Sequence, residues 1–214
     1  EMKAGKYDIA SMPADQYDTY KDLSNITLLG TITNSISYVG FNMGHFDKAT
    51  GEHVFEPGKK MSDPALRKAI AYALDNDQVA NETYQGLRIS ANTLLSPFFG
   101  EIYADKSEIP GFTYNPEESK KILADAGYKD TDGDGYVEDK DGKQLTITLL
   151  VAAGSQTDDA VVQQYIEWWK NVGLRVELLN GRALEFNSYA EKLTKYADDF
   201  DMWLGGFTIG YNPD

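Results

Sequence analysis

Hydrophobic and polar positions along this chain follow two periods, and the changes between them mark the elements. From Gln144 to Ala153 the run QLTITLLVAA is β-branched and apolar, long enough for a buried strand. From about Thr157 to Val172 the period becomes helical, with Val161, Val162, Tyr165, Ile166 and Trp169 at helical spacing and Gly173 as a C-terminal stop. Trp168 and Trp169 are adjacent, so at most one of them faces the core squarely. Leu174 to Leu179 is strand-like again. A strand, a helix and a second strand predict a βαβ unit with parallel strands, the expected core of the chain. Its first strand ends at Ala153-Gly154-Ser155-Gln156, in front of a helix N-terminus, where α/β sheets usually bind ligands.

The remaining elements follow from the same patterns. Tyr7 to Ala10, Ile26 to Leu29 and Ser37 to Asn42 read as short strands, and Pro13 to Leu23 as a helix bearing Tyr17 and Tyr20. Gly44 to Lys60 is polar and glycine-bearing, which predicts a loop. Ser62 as cap and Pro64 in the first turn predict a helix with Leu66, Ala69, Ile70, Ala73 and Leu74 on its apolar face. A second helix runs from about Asp77 to Tyr84 and ends at Gly86. Ile89 to Thr113 lacks a period and reads as an ordered, aromatic-rich loop. Asn115 then caps a helix with Pro116 at its first position and Glu117 and Glu118 at its positive end. Ile122, Leu123 and Ala126 form the buried face of that helix, and Gly127 closes it. About Leu184 to Tyr196 is a further helix, with Phe186, Tyr189, Ala190 and Leu193 on one side, and Asp201 to Thr208 is the next strand. Strands alternating with helices give an α/β fold class, a mixed sheet with flanking helices, read as one unit over residues 1–214.

Composition narrows the function. The net charge of −14 argues against nucleic acid, whose binding needs a basic face, and against an anionic membrane surface. There is no cysteine, which excludes disulfides, thiol catalysis and zinc–thiolate sites and fits an exported chain. No apolar run approaches the roughly 20 residues that span a bilayer. The first residues enter a predicted strand almost at once and the last stop just beyond another, so the chain is expected to be a piece of a longer protein, truncated at both ends.

The sharpest local chemistry is the acidic loop at 130–142, DTDGDGYVEDKDG. Asp130, Asp132 and Asp134 fall at positions one, three and five of an EF-hand-like loop, with Gly135 at the turning position. Tyr136 offers its carbonyl at seven, Glu138 falls at nine and Asp141 at twelve. Hard oxygens at alternating positions suit Ca²⁺ in a structural role, and the competing reading is a solvated acidic turn. The same triplets as a nucleotide-sugar transferase site lack a glycine-rich phosphate cradle. His45 and His53 could hold zinc only with a third ligand that is not nearby. No G-x-S-x-G elbow is present, and dispersed acids are the only support for a glycosidase.

Several stretches, taken in order, resemble the oligopeptide-binding extracytoplasmic solute-binding proteins of ABC importers, family 5 type and Gram-positive-like. They are SYVGFNM, MSDPALRKAIAYALDNDQV, NPEESKKILADAGYKDTDGDGYVEDKDGKQLTITLL, NVGLRVELL and FDMWLGGFTIGYNPD. The segment from Asp63 to Asp75 is the most specific of them. The resemblance implies one lobe of a two-lobed periplasmic-binding-protein-like (type II) fold, a monomer whose other lobe lies elsewhere in the same protein. It implies a non-enzyme, attached outside the cell by an upstream lipid anchor, that delivers oligopeptides to ABC permease subunits. Matched by position, Gly154, Ser155 and Gln156 form a ligand-facing turn, and Phe186 stands where relatives place a tryptophan wall. Phe207, Thr208, Gly210, Tyr211 and Asn212 fall in the segment that contacts the peptide backbone. Gly210 replaces an Asp that pairs with the ligand's ammonium terminus in several relatives, so that charge-assisted anchor is missing. An oligosaccharide receptor, or a pheromone-sensing or adhesion module, is the alternative reading.

Overall fold

A computed structural model describes residues 2–12 and 16–210. Four strands form a sheet in the order β1 (Ser35–Phe41), β6 (Met202–Thr208), β4 (Thr146–Leu150) and β5 (Arg175–Leu178). β4 is parallel to both β5 and β6, while β1 runs antiparallel to β6. The sheet is therefore mixed, and the βαβ unit is β4, α5 (Gln156–Asn171) and β5.

Side chains alternate across a strand, so each strand feeds two faces. On one face Ile147 and Leu149 of β4, Val176 of β5 and Met202 of β6 pack against α2 (Pro64–Tyr72), α4 (Pro116–Asp125) and α5. Trp169 is fully buried there and donates its indole N–H to the Ile70 carbonyl at 3.1 Å, whereas its neighbour Trp168 is only half-buried. On the other face Leu150 and Trp203 pack with Leu179, Leu184, Phe200 and Tyr189 of α6 (Phe186–Thr194). α2 and α4 are locked by Ser119, buried and donating to the Ala69 carbonyl at 2.7 Å. The predicted apolar face of α2, Leu66 to Leu74, is buried throughout.

Several expectations are corrected. Asp63, not Ser62, caps α2, accepting from Ala65 N–H at 2.9 Å. Proline at the first helical position leaves its predecessor as the cap, and the Ser62 hydroxyl donates instead to the Glu56 carbonyl at 2.6 Å. Residues 44–60 are not simply a loop: β2 (Gly44–Asp47) and β3 (Glu52–Phe55) form a hairpin. Asp47 organises its turn, accepting from Ala49 N–H and the Thr50 hydroxyl, while Gly51 turns the chain at φ +76. Phe46 stacks on Tyr196 at 4.5 Å and fixes the hairpin to the loop after α6. Tyr7 to Ala10 and Ile26 to Leu29 are not strands; no strand of the described residues pairs with them, and Ile9 and Leu29 are 90% and 93% exposed. The helix predicted over 13–23 is confined to α1 (Tyr17–Tyr20), its predicted start at 13–15 lying outside the described residues. The helix predicted over 77–84 is present, beginning as α3 (Asn76–Gln78) and passing without a break into a π-helical turn, Val79–Thr83.

Candidate functional site

β6 is the element on which the site is built, and its two edges are paired unequally. Against β1 the ladder covers the whole strand, from Phe41↔Met202 to Ser35↔Thr208. Against β4 it covers only Leu149↔Met202 and Leu150↔Trp203. After Leu150 the chain turns away: Leu184 N–H donates to the Val151 carbonyl at 2.9 Å and Ala153 N–H to the Leu184 carbonyl at 2.6 Å. The outer half of β6 is thereby left as an open edge.

The ladder phase decides which groups that edge presents. Asn42 N–H donates to the Asp201 carbonyl at 2.8 Å and Ile209 N–H to the Asn34 carbonyl at 3.0 Å. Bonded pairs alternate along an antiparallel ladder, so the odd-numbered residues of β6 bond β1 and the even-numbered ones face away. The Leu204 carbonyl is taken by the Tyr189 hydroxyl at 2.6 Å. The main-chain groups of Gly206 and Thr208 have no partner on that side among the described residues. Asn34 and Ser35, which the sequence did not single out, hold this segment: the Asn34 amide donates to the Ile209 carbonyl, and the Ser35 and Thr208 hydroxyls lie 2.9 Å apart.

An aromatic row lies along the same strand. Phe207 is partly exposed and its ring lies 5.6 Å from that of Tyr38, which meets Trp203 edge-on at 6.3 Å. Two glycines make this possible. A Cβ on Gly205 would come within 2.8 Å of the Tyr38 ring, and one on Gly40 within 2.3 Å of Trp203. Phe186, at the start of α6, is exposed and stacks on Tyr189 at 6.3 Å. Gly210 is exposed, and Tyr211 and Asn212 lie outside the described residues.

Gly154, Ser155 and Gln156 follow the departing end of β4 and open α5. Ser155 is spent on its helix: its hydroxyl accepts from Asp158 N–H and donates to the Asp158 carboxylate at 2.9 Å, a capping box. The Asp158 carboxylate also accepts the Tyr84 hydroxyl at 2.7 Å and Ser155 N–H at 3.1 Å. Burial opposes ionisation of Asp158, but the Tyr84 and Ser155 donors and the charge of Arg88 outweigh it and hold the carboxyl below its usual range. Burial, then the bond to Asp158, pushes the Tyr84 phenol far up, so it stays a donor. What this turn leaves for a ligand is the Gln156 side chain and the small profile of Gly154.

The acidic loop sits away from β6, docked against β5. Asp130, Asp132 and Glu138 bring ligand oxygens within 4.8 Å of one another, a donor set that fits a hard cation. Glu138 is buried and accepts from Thr131 N–H at 2.7 Å and its hydroxyl at 2.6 Å. Asp134 is not in this group: its carboxylate pairs with Arg175, whose guanidinium also lies 4.3 Å from the centre of the Tyr136 ring. Asp141 falls in the following turn, its N–H donated to Asp139 at 2.9 Å. His45 and His53 stand opposite Val54 and Phe46 respectively, on different faces of the hairpin, so they do not converge on a metal.

An α/β lobe whose central strand opens one edge beside aromatic rings has the anatomy of a binding module. The comparisons give the class a family. The profile described as bacterial extracellular solute-binding proteins, family 5 Middle, matches residues 1–214. The oligopeptide-binding protein OppA of Lactococcus lactis subsp. cremoris (strain SK11) is 32% identical over 99% of this chain and 36% of its own length. Lactococcal OppA complexed with an endogenous peptide in the closed conformation superposes with a TM-score of 0.84 at 31% identity, covering 99% of this chain and 40% of that one. AppA from Bacillus subtilis in complex with a nonapeptide gives 0.77 at 26% identity, covering 100% and 39%. This chain belongs to the family 5 extracellular solute-binding proteins. Proteins of that family are extracellular or periplasmic and bind solutes rather than transform them. The chain spans 36% of the length of the Lactococcus relative.

Proposed function

We propose that this chain is the ligand-binding lobe of an oligopeptide receptor serving an ABC importer. The observation that carries this reading is the open outer edge of β6. Gly206 and Thr208 face the gap left by β4 with free main-chain groups. An extended peptide adds to such an edge as a further strand, with its main chain supplying affinity and alternate side chains entering pockets. Phe207 and Tyr38 provide an apolar wall for one of those side chains.

The ligand is captured in a cleft between this lobe and a second lobe of the full-length protein, which closes about a hinge and is presented to the permease subunits. That protein acts as a monomer held outside the cell by a lipid anchor. Calorimetry on the full-length protein tests the edge. Gly206→Pro, which removes one outward N–H, and Phe207→Ala should each weaken peptide binding by about tenfold or more with little change in melting temperature. Unchanged affinity in both would remove the β6 edge from the site.

The loop at 130–142 is assigned a structural calcium ion, supported by the convergence of Asp130, Asp132 and Glu138. Calcium should raise the melting temperature, and Asp132→Ala should abolish the rise, since a ligand that binds only the folded state stabilises it. Identical melting with calcium and with chelator would leave the loop a solvated acidic turn.

A further inference from the structure

We propose that Arg88 anchors a carboxylate of the bound ligand. The proposal rests on the peptide reading given above and adds the end or side chain by which the peptide is fixed. An open cavity of about 370 Å³ has Arg88, Lys106, Asp77, Ser90 and Tyr103 in its lining. Most of its polar groups satisfy each other. Lys106 donates to Asp77 at 2.5 Å and to Ser90 at 2.8 Å, and the Ser90 hydroxyl donates to Asp77. Asp105, also in the lining, is turned onto its own loop by Ser107 N–H at 2.9 Å and the Ser107 hydroxyl at 2.7 Å.

Arg88 is the exception. Its guanidinium lies 3.6 Å from the centre of the Tyr84 ring, so the plane is held in place by a cation–π contact. It forms a loose, half-exposed ion pair with Asp158 at 3.8 Å, outside hydrogen-bond range, and that carboxylate already accepts from Tyr84 and Ser155. Among the described residues no acceptor takes a hydrogen bond from Arg88. A guanidinium carries five N–H donors in a fork that matches a carboxylate in two parallel bonds. The Tyr84 ring beneath the guanidinium restricts it before a ligand arrives, which lowers the ordering cost of binding.

Position ties this cation to the ligand. Asp158, the ion-pair partner of Arg88, is also the side chain that a Cβ on Gly154 would strike at 2.8 Å, so Arg88 lies close to the turn that follows β4. Gly210 offers no carboxylate for an ammonium terminus, and the proposed anchor is for a negative group of the ligand instead. That group is either the C-terminal carboxylate or an Asp or Glu side chain, which share the chemistry.

The test is isothermal titration calorimetry on the full-length protein and its Arg88→Gln variant. The probe is a synthetic Ala/Leu-rich peptide with one internal Glu, made also with its C-terminus amidated and, separately, with that Glu changed to Gln. One of the two edits should weaken binding to the wild type by about tenfold or more, and the same edit should make no difference to Arg88→Gln. Loss on amidation identifies the C-terminus, and loss on changing Glu identifies the side chain. Equal binding of all three peptides, or a loss that persists in the variant, would overturn the anchor while leaving peptide binding intact. A wild type that binds none of the peptides would overturn the peptide reading itself.

Discussion

At the scale of single residues, Asp63 joins three parts of the molecule. Its carboxylate caps α2, accepts the Tyr128 hydroxyl at 2.8 Å and pairs with Lys140 at 2.6 Å. Burial opposes its ionisation, but Lys140, Tyr128 and Ala65 N–H prevail and hold the carboxyl below its usual range. A carboxyl depressed in the native state contributes stability that is fully present above its unfolded pKa and is lost as pH falls through the native one. Asparagine keeps the cap and loses the charge, so Asp63→Asn should cost about 1–2 kcal/mol at neutral pH. The gap from wild type should narrow below about pH 4; thermal melts at neutral and acid pH measure it. The importance of this position was legible in the sequence only as part of the Asp63–Asp75 resemblance. Residue type alone places the cap one residue early, because Ser62 is also a good cap and only the placement of proline separates it from Asp63. Asn115 had no such competitor and caps as expected, whereas Ser155, read only as part of a ligand-facing turn, caps α5. Arg88 carried no sequence signal, since a lone arginine gains meaning only from the ring beneath it and the acceptors it lacks.

At the scale of elements, the strongly periodic segments were readable and the partner-dependent ones were not. β4, α5, β5 and β6 lie within a residue or two of where hydrophobic period placed them, apart from the frayed ends of the β4 run. Tyr7 to Ala10 and Ile26 to Leu29 have strand composition, but a strand exists only with a partner for its ladder. The hairpin at 44–55 was hidden by its polar faces, and its available signal was Asp47 followed four residues later by Gly51. The open edge of β6 could not be read from sequence at all, because it depends on where β4 turns away. The glycines that shape this region were equally mute. Gly40→Ala places a Cβ 2.3 Å from the Trp203 ring. It should destabilise the protein by about 1–3 kcal/mol through overpacking, with altered tryptophan fluorescence on the β1–β6 face. Unchanged stability and emission would mean that Trp203 does not lie across Gly40.

At the scale of the whole molecule, the lobe places its functional parts on different supports. The aromatic row and the open β6 edge stand on a strand pinned by β1 along its length, while the acidic loop is fastened to β5 through Arg175. Residues along that strand can therefore vary without disturbing the loop. The βαβ core and the family were accessible from the sequence, and the resemblance also pointed to the end of β6 as the segment proposed to meet a ligand. The unpaired main-chain groups along it, among the described residues, came only with the fold. The most direct measurement of the central proposal is mass spectrometry of the small molecules released on denaturing the purified full-length protein. A mixture of peptides is the predicted result, and their spread of lengths would report how strictly the termini are read. Released sugars or a metal complex, with no peptide among them, would contradict the oligopeptide assignment.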